Sequence, residues 1–350
     1  PADFYVAVDG NDNWSGKLAR PNDAGTDGPF ATITRARDAV RALKAGGGLK
    51  KSLTVLLHGG LYTQNECVTF GPEDSGTDQY SITYAAAPGE KVILSGGRKI
   101  TGWHKGEGNL WTAQIPAVKN GDGYFRQLFI NGRRAVRART PNVDDQAPWW
   151  HIRTCSITIG DNHPPTDEPI IVSLTGPVHP YRNINEVELI YTANNNNARK
   201  FLGAVNEAEQ TLTLRPPHQW NPRAFGTEWK YSIPDVGLAC YLENAPEMLD
   251  QPGEWYLDRQ TGLLSYWPLP GEDLNQVEAI APVVDLTLLA LIGTPQQPVV
   301  NLQFRGIQLE HTKWDIPATG YMGMAVCTTA VGDDPTPGWQ WLPAAVEFKH

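Results

Sequence analysis

Residues Pro282 to Thr312, PVVDLTLLALIGTPQQPVVNLQFRGIQLEHT, carry two short apolar runs of period two, Leu286 to Ile292 and Val299 to Leu309, with a Gly-Thr-Pro turn between them. Alternation over so few residues is the pattern of half-buried strands. It turns Leu302 and Phe304, and after a Gly306 break Ile307 and Leu309, toward a core. Runs spaced in this way suit successive rungs of a parallel solenoid rather than hairpins, because each rung buries its apolar side against its neighbours.

The 350 residues, 41% of them hydrophobic, suffice for one large core or two unequal ones. No run approaches the roughly 20 apolar residues that span a bilayer, so a soluble chain with no membrane partner is expected. The 34 Gly and 28 Pro favour turn-rich β structure, and the 12 Trp offer aromatic surface suited to sugar rings. A formal charge of −9 argues against nucleic acid, which needs a basic stripe that the chain lacks. It also disfavours a polyanionic sugar, although a local basic cleft can form inside an acidic total. The chain starts at Pro1 without Met, which fits either a removed leader or a trimmed start, and a secreted or periplasmic location is the expectation.

Cys67, Cys155, Cys240 and Cys327 lie far apart, with no metal-ligand spacing, and read as free core thiols rather than as disulfides. Asp9-Gly10-Asn11-Asp12-Asn13 resembles a calcium loop but lacks the downstream bidentate Glu, so it reads as a turn. No cofactor motif and no metal site is expected.

Along the chain, Phe4 to Val8 reads as a strand. Thr32 or Thr34 caps an amphipathic helix, Arg35 to Leu43, with Ala36, Ala39, Val40 and Leu43 on one stripe. Such a helix closes the open end of a solenoid. Leu53 to Leu57, Cys67 to Phe70, Ser81 to Ala85 and Val92 to Leu94 then read as first rungs. The pattern changes at Gln127 to Ile130, whose Asn131-Gly132 signals a hairpin. Glu254 to Asp258 and Leu263 to Trp267 flank another turn. Asn194 to Asn197 reads as an exposed loop. The expected division is 1–122 for the cap and first rungs, 123–270 for an inserted β domain, and 271–350 for the resumed solenoid, incomplete at its C-terminal end.

Four segments carry a resemblance: FYVAVDGNDNWSG followed by PFATITRARDAVRAL, PGEKVILSGGRKITGW, RQLFINGRRAVRARTPN, and PGEWYLDRQTGLLSYWP leading to GIQLEHTKW. In this order they resemble the parallel β-helix glycoside hydrolases, families 141 and 120, over nearly the whole chain. The resemblance implies an all-β fold, a right-handed parallel β-helix with an inserted antiparallel β-sandwich-like domain and an N-terminal capping helix. It also implies hydrolysis of xylose- or fucose-containing saccharides, with catalytic carboxylates on later coils than those present up to His350.

Glycoside hydrolysis takes two carboxyl groups, one protonated and one ionised, on opposite sides of the scissile bond. Glu310, Asp315 and Glu347 are the carboxylates near the presumed groove of the solenoid, and continued alternation turns Glu310 outward and His311 inward. Facing outward, Glu310 is the catalytic candidate among the residues present, and the resemblance of Glu310 to Trp314 to the segment lining the subsite near the cleaved bond makes His311, Trp314 and the adjoining Asp315 substrate-binding. Trp314, Trp339 and Trp341 suit stacking on a sugar, and Trp103 matches a loop that reaches the groove in the resembling families. Arg133, Arg137 and Arg139 share a strand face. A lyase would use such a run to neutralise a uronate, whereas a solvated face or an ion-pair set accounts for it more simply. A polysaccharide lyase and a non-catalytic carbohydrate-binding solenoid are the alternatives to the hydrolase.

Overall fold

The computed structural model describes residues 2–142, 149–156, 169–193, 196–216, 236–284, 287–316, 320–323 and 344–349. It divides into one unit of Pro1–Arg98, Ile280–Trp314 and Pro343–His350, and another of Lys99–Ala279 and Asp315–Leu342. The chain is mostly β, and no helix among the described residues is long and apolar enough to cross a membrane.

In the first unit the apolar runs pair in parallel. Leu53–Leu57, Ile82–Ala86 and Leu302–Arg305 form one stack, extended at its edge by Phe4–Val6. Gly60–Thr63, Val92–Ser95 and Ile307–Glu310 form a second, and Val68–Phe70, Leu289–Ile292 and Val346–Lys349 a third. Three passes of the chain thus supply one strand each to every stack, in the same order. Period two fixes the inward set: Leu53, Val55 and Leu57 meet Ile82 and Tyr84, and Val92 and Leu94 follow. Phe70, Tyr84 and Phe304 pack their rings at 5.2 to 5.5 Å, joining strands of different stacks. Gly306, at φ +70, makes the corner between Leu302–Arg305 and Ile307–Glu310.

The helix spans Ile33–Ala45, and Thr32 is its cap, its hydroxyl accepting from Arg35 N–H at 3.0 Å. Starting two residues earlier than expected, it buries Ile33, Ala36, Ala39 and Val40, while Leu43, assigned to the stripe, is exposed. Asp12 accepts from the Ala31 and Thr32 N–H groups and so anchors the start of the helix. Cys67 and Cys240 are free thiols; Cys327 lies outside the described residues, as do Trp339 and Trp341.

The second unit contains a closed barrel where a sandwich was expected. Ala239–Glu243 pairs with Trp150–Cys155 on one side and Glu188–Ala193 on the other. Ile170–Leu174, Thr211–Leu214 and Asn196–Asn206 complete an antiparallel ring of six strands. Two register breaks make closure possible, one between Ile152 and Thr154 and one between Leu202 and Ala204. Bulges of this kind bend a strand from one sheet into the next, and closure leaves no unpaired edge in the ring. The interior is filled by Ile152, Val172, Leu189, Tyr191, Leu202, Leu212, Cys240 and Leu242. Asn196 and Asn197, read as loop, begin the longest strand of the ring. Both expected hairpins are present: Asn131 and Gly132 take positive φ between Phe129–Ile130 and Arg133–Arg134, and Glu254–Leu257 pairs with Leu263–Tyr266.

Candidate functional site

In the second stack of the first unit, register aligns Thr63 with Ser95 and Ser95 with Glu310. These three share the sheet face opposite Tyr62, Leu94 and Leu309. Glu310 therefore points away from the packed interior, with 33% of its side chain exposed and Oε1 3.9 Å from Lys91 Nζ. Its Oε2 lies 3.6 Å from His311 Nε2.

His311 departs from the alternation that assigned it to the interior. Its φ is +61, so the extended backbone ends there, and its ring turns onto the face of Glu310, where Nδ1 lies 2.8 Å from Ser95 Oγ. The residue is only 7% exposed, buried over Ser95 rather than among the inward side chains. Left-handed backbone at a non-glycine residue costs about 1–3 kcal/mol and persists only where surrounding contacts hold it. Here Gly96 N–H donates to Glu310 O at 3.1 Å and Lys313 N–H to Val284 O at 2.9 Å. Ser95 Oγ also accepts from Gly97 N–H at 3.0 Å.

The Ser95-Gly96-Gly97 sequence makes room for this ring. A Cβ on Gly96 would stand 2.9 Å from His311 O, and one on Gly97 would stand 2.3 Å from Ile280 Cγ2 and 3.0 Å from His311 Cβ. The result is a carboxylate flanked by an ammonium group and by an imidazole seated on a buried hydroxyl. Such a set can accept and donate hydrogen bonds to a polyol and can hold or pass a proton. Sequence reasoning named Glu310 and His311 and missed Ser95 and Lys91. The only local signal was the Gly pair after Ser95.

The remaining expected site residues fall in both units. Trp314 is half-buried in the first unit, whereas Asp315 is exposed and is grouped with the second. Trp103 also belongs to the second unit, its ring centroid 6.4 Å from that of Tyr266 and its indole Nε1 buried without a partner. Glu347 pairs with Lys349 at 2.7 Å. Among the described residues no group of three His, Cys, Asp or Glu is placed to hold a metal.

The arginine run of the second unit is divided among several contacts. Arg133 bonds to Glu272 and Tyr266. Arg137 is buried and bonds to Glu188 at 2.8 Å, Glu243 at 3.1 Å and the Tyr124 hydroxyl at 2.8 Å. Arg126 and Arg199 also reach Glu188, whose side chain is 0% exposed. Burial by itself would raise the Glu188 carboxyl, but Arg126, Arg137 and Arg199 outweigh it and hold the group well below the usual carboxylate range.

Residues 218–269 match a family model described as the GH141 insertion domain. The whole chain is similar to a solved structure described as a glycoside hydrolase, with a TM-score of 0.75 and 26% identity over 100% of this chain and 61% of that one. This chain thus spans 61% of that relative's length. A solved complex of XylC with xylose is far more distant, with a TM-score of 0.38 and 17% identity over 90% of this chain and 36% of that one. No curated protein matches the chain. In its insertion and in its fold the chain is glycoside hydrolase-like.

Proposed function

We propose that this chain belongs to a secreted or periplasmic glycoside hydrolase that cleaves xylose- or fucose-containing saccharides, working from a right-handed parallel β-helix. The observation that carries the reading is the likeness of the full chain to a glycoside hydrolase, joined to the match of its insertion. The three parallel stacks, each fed in turn by three passes, support the helical winding.

Glu310 supplies one of the two carboxyl groups that hydrolysis requires. Stacked strands lie about 4.8 Å apart, so outward carboxylates on neighbouring rungs fall near the separations of roughly 5 to 9.5 Å used by glycosidases. His311, fixed through Ser95, positions the Glu310 carboxylate, and Trp314 offers an indole face to a sugar ring. The lyase alternative loses support because Arg137, the buried member of the arginine run, is committed to Glu188 and Glu243.

The test is to incubate the full-length protein with xylans and fucosylated saccharides while following reducing ends and ultraviolet absorbance together. Reducing ends should rise without absorbance, and Glu310→Gln should slow their release by about 10²-fold or more. An unsaturated, absorbing product would overturn the hydrolase, and an unchanged Glu310→Gln rate would remove Glu310 from the chemistry.

A further inference from the structure

On the outside of the barrel, register lines up Arg199, Ile190 and Tyr241 across three adjacent strands, and beside them Glu188, Glu243 and Arg139. Cys240 and Leu242, on either side of Tyr241, fill the interior, so Tyr241 and Glu243 project outward. Arg126, Arg137 and Arg199 share two carboxylates, those of Glu188 and Glu243. Arg139 adds a fourth guanidinium to a face that already holds more cations than anions.

Among the described residues Arg139 has no ion-pair partner. Its Nε is buried and unbonded, and its guanidinium carbon stands 5.8 Å from the Tyr241 ring centroid. The same Tyr241 ring lies 5.1 Å from the ring of Trp149, which is 39% exposed. An unpaired planar cation, a half-buried phenol and an open indole therefore meet on one face. In a chain of formal charge −9, a local cationic excess of this kind calls for an anionic ligand. The adjoining indole calls for a flat apolar one. A carboxylated sugar meets both demands, because its carboxylate fits the guanidinium fork and its C–H face stacks on an aromatic ring.

We propose that this barrel face is a binding subsite for a uronosyl residue, with Arg139 taking the sugar carboxylate and Trp149 its ring. The proposal rests on the carbohydrate reading above and narrows it to acid-bearing saccharides. Hydrolysis at Glu310 is a separate matter.

The test is calorimetric titration of the full-length protein with glucuronic-acid-substituted xylo-oligosaccharides, unsubstituted xylo-oligosaccharides and sulfated oligosaccharides of equal length. The carboxylated ligand should bind at least tenfold more tightly than the neutral one, with affinity falling as salt rises. Arg139→Ala should remove that preference and leave neutral binding unchanged. Arg139→Lys should restore part of it, and Trp149→Ala should weaken both ligands. The Arg139 backbone N–H bond to Glu254 survives these side-chain changes, so matching thermal midpoints will show that the variants fold. Equal affinity for acidic and neutral ligands, a preference for sulfate, or an unaffected Arg139→Ala variant would overturn the subsite. If no oligosaccharide of any kind binds, the carbohydrate reading falls with it.

Discussion

Replacing Glu188 with Gln tests whether the arginine cluster supports the barrel or merely decorates it. Glu188 is the shared anion: it lies 2.5 Å from Arg126, 2.8 Å from Arg137 and 3.2 Å from Arg199, with its side chain out of contact with solvent. The substitution keeps the shape but leaves Arg137 and Arg199 to the single carboxylate of Glu243, and takes from Arg126 the carboxylate it bonds. Breaking a buried pair by removing one partner costs about 3–5 kcal/mol, mostly through the charge left uncompensated. With a urea dependence of about 2–3 kcal/mol per molar, the unfolding midpoint should fall by about 1–2 M. Fluorescence reports the transition, since Trp255 is 1% exposed and stacks 5.6 Å from Phe125 in the same unit. The exposed pair Arg182–Glu247, at 2.8 Å, is the control, and its loss should cost under about 1 kcal/mol. A Glu188→Gln shift as small as that of the control would refute the reasoning.

Two further outcomes follow from the geometry. Gly97→Ala sets a Cβ 2.3 Å from Ile280 Cγ2, so overpacking should cost about 1–3 kcal/mol in a urea titration. The same substitution should shift the His311 imidazole resonances in NMR spectra; unchanged resonances would mean that the Ser95 seat tolerates a methyl group. Burial pushes the Glu254 carboxyl from 4.5 up to about 7, against the N–H groups of Asp250, Gln251 and Arg139 that favour its ionised form. The folded chain then keeps a proton that the unfolded chain releases. The stability this contributes is complete below pH 4.5 and is lost as pH rises through about 7, by at most about 3 kcal/mol. Unfolding midpoints measured from pH 4.5 to 8 should fall in the wild type and stay flatter in Glu254→Gln, and parallel curves would refute the assignment.

Much of the strand pattern was legible because period two is a local signal. Leu53 to Leu57 matches its strand to the residue, and Asn131-Gly132 marks its hairpin because few other pairs accept positive φ at both positions. Closure of the barrel was not legible, since the pairing of Glu188–Ala193 with Ala239–Glu243 joins segments that no local rhythm connects. Nothing in the local sequence marks Glu188 as the anion that three arginines share. Its neighbours Arg126 and Arg137 come from well upstream, and outward parity looks the same whether water or arginine lies beyond. His311 failed for a different reason: alternation presumes extended backbone, and one left-handed residue cancels it. Ser95 was invisible as its partner because 216 positions separate the two.

The Ile100 N–H donates to Ala279 O at 2.8 Å, which pins the two ends of the inserted unit side by side. Between Val92–Ser95 and Leu289–Ile292, consecutive strands of a single pass, a ribosome must therefore synthesise roughly 190 residues. Bridged by a disordered tether of that length instead of about 12 residues, the pass would lose about 2.4 kcal/mol in closure entropy, four doublings at about 0.6 each. A tether that has already folded, with its ends clasped, escapes most of that loss. The connectivity thus favours, by about that margin, a course in which the ring of six strands closes before Leu289–Ile292 joins its wall. Lesions that delay the barrel should accordingly strand nascent chains with that wall unbuilt.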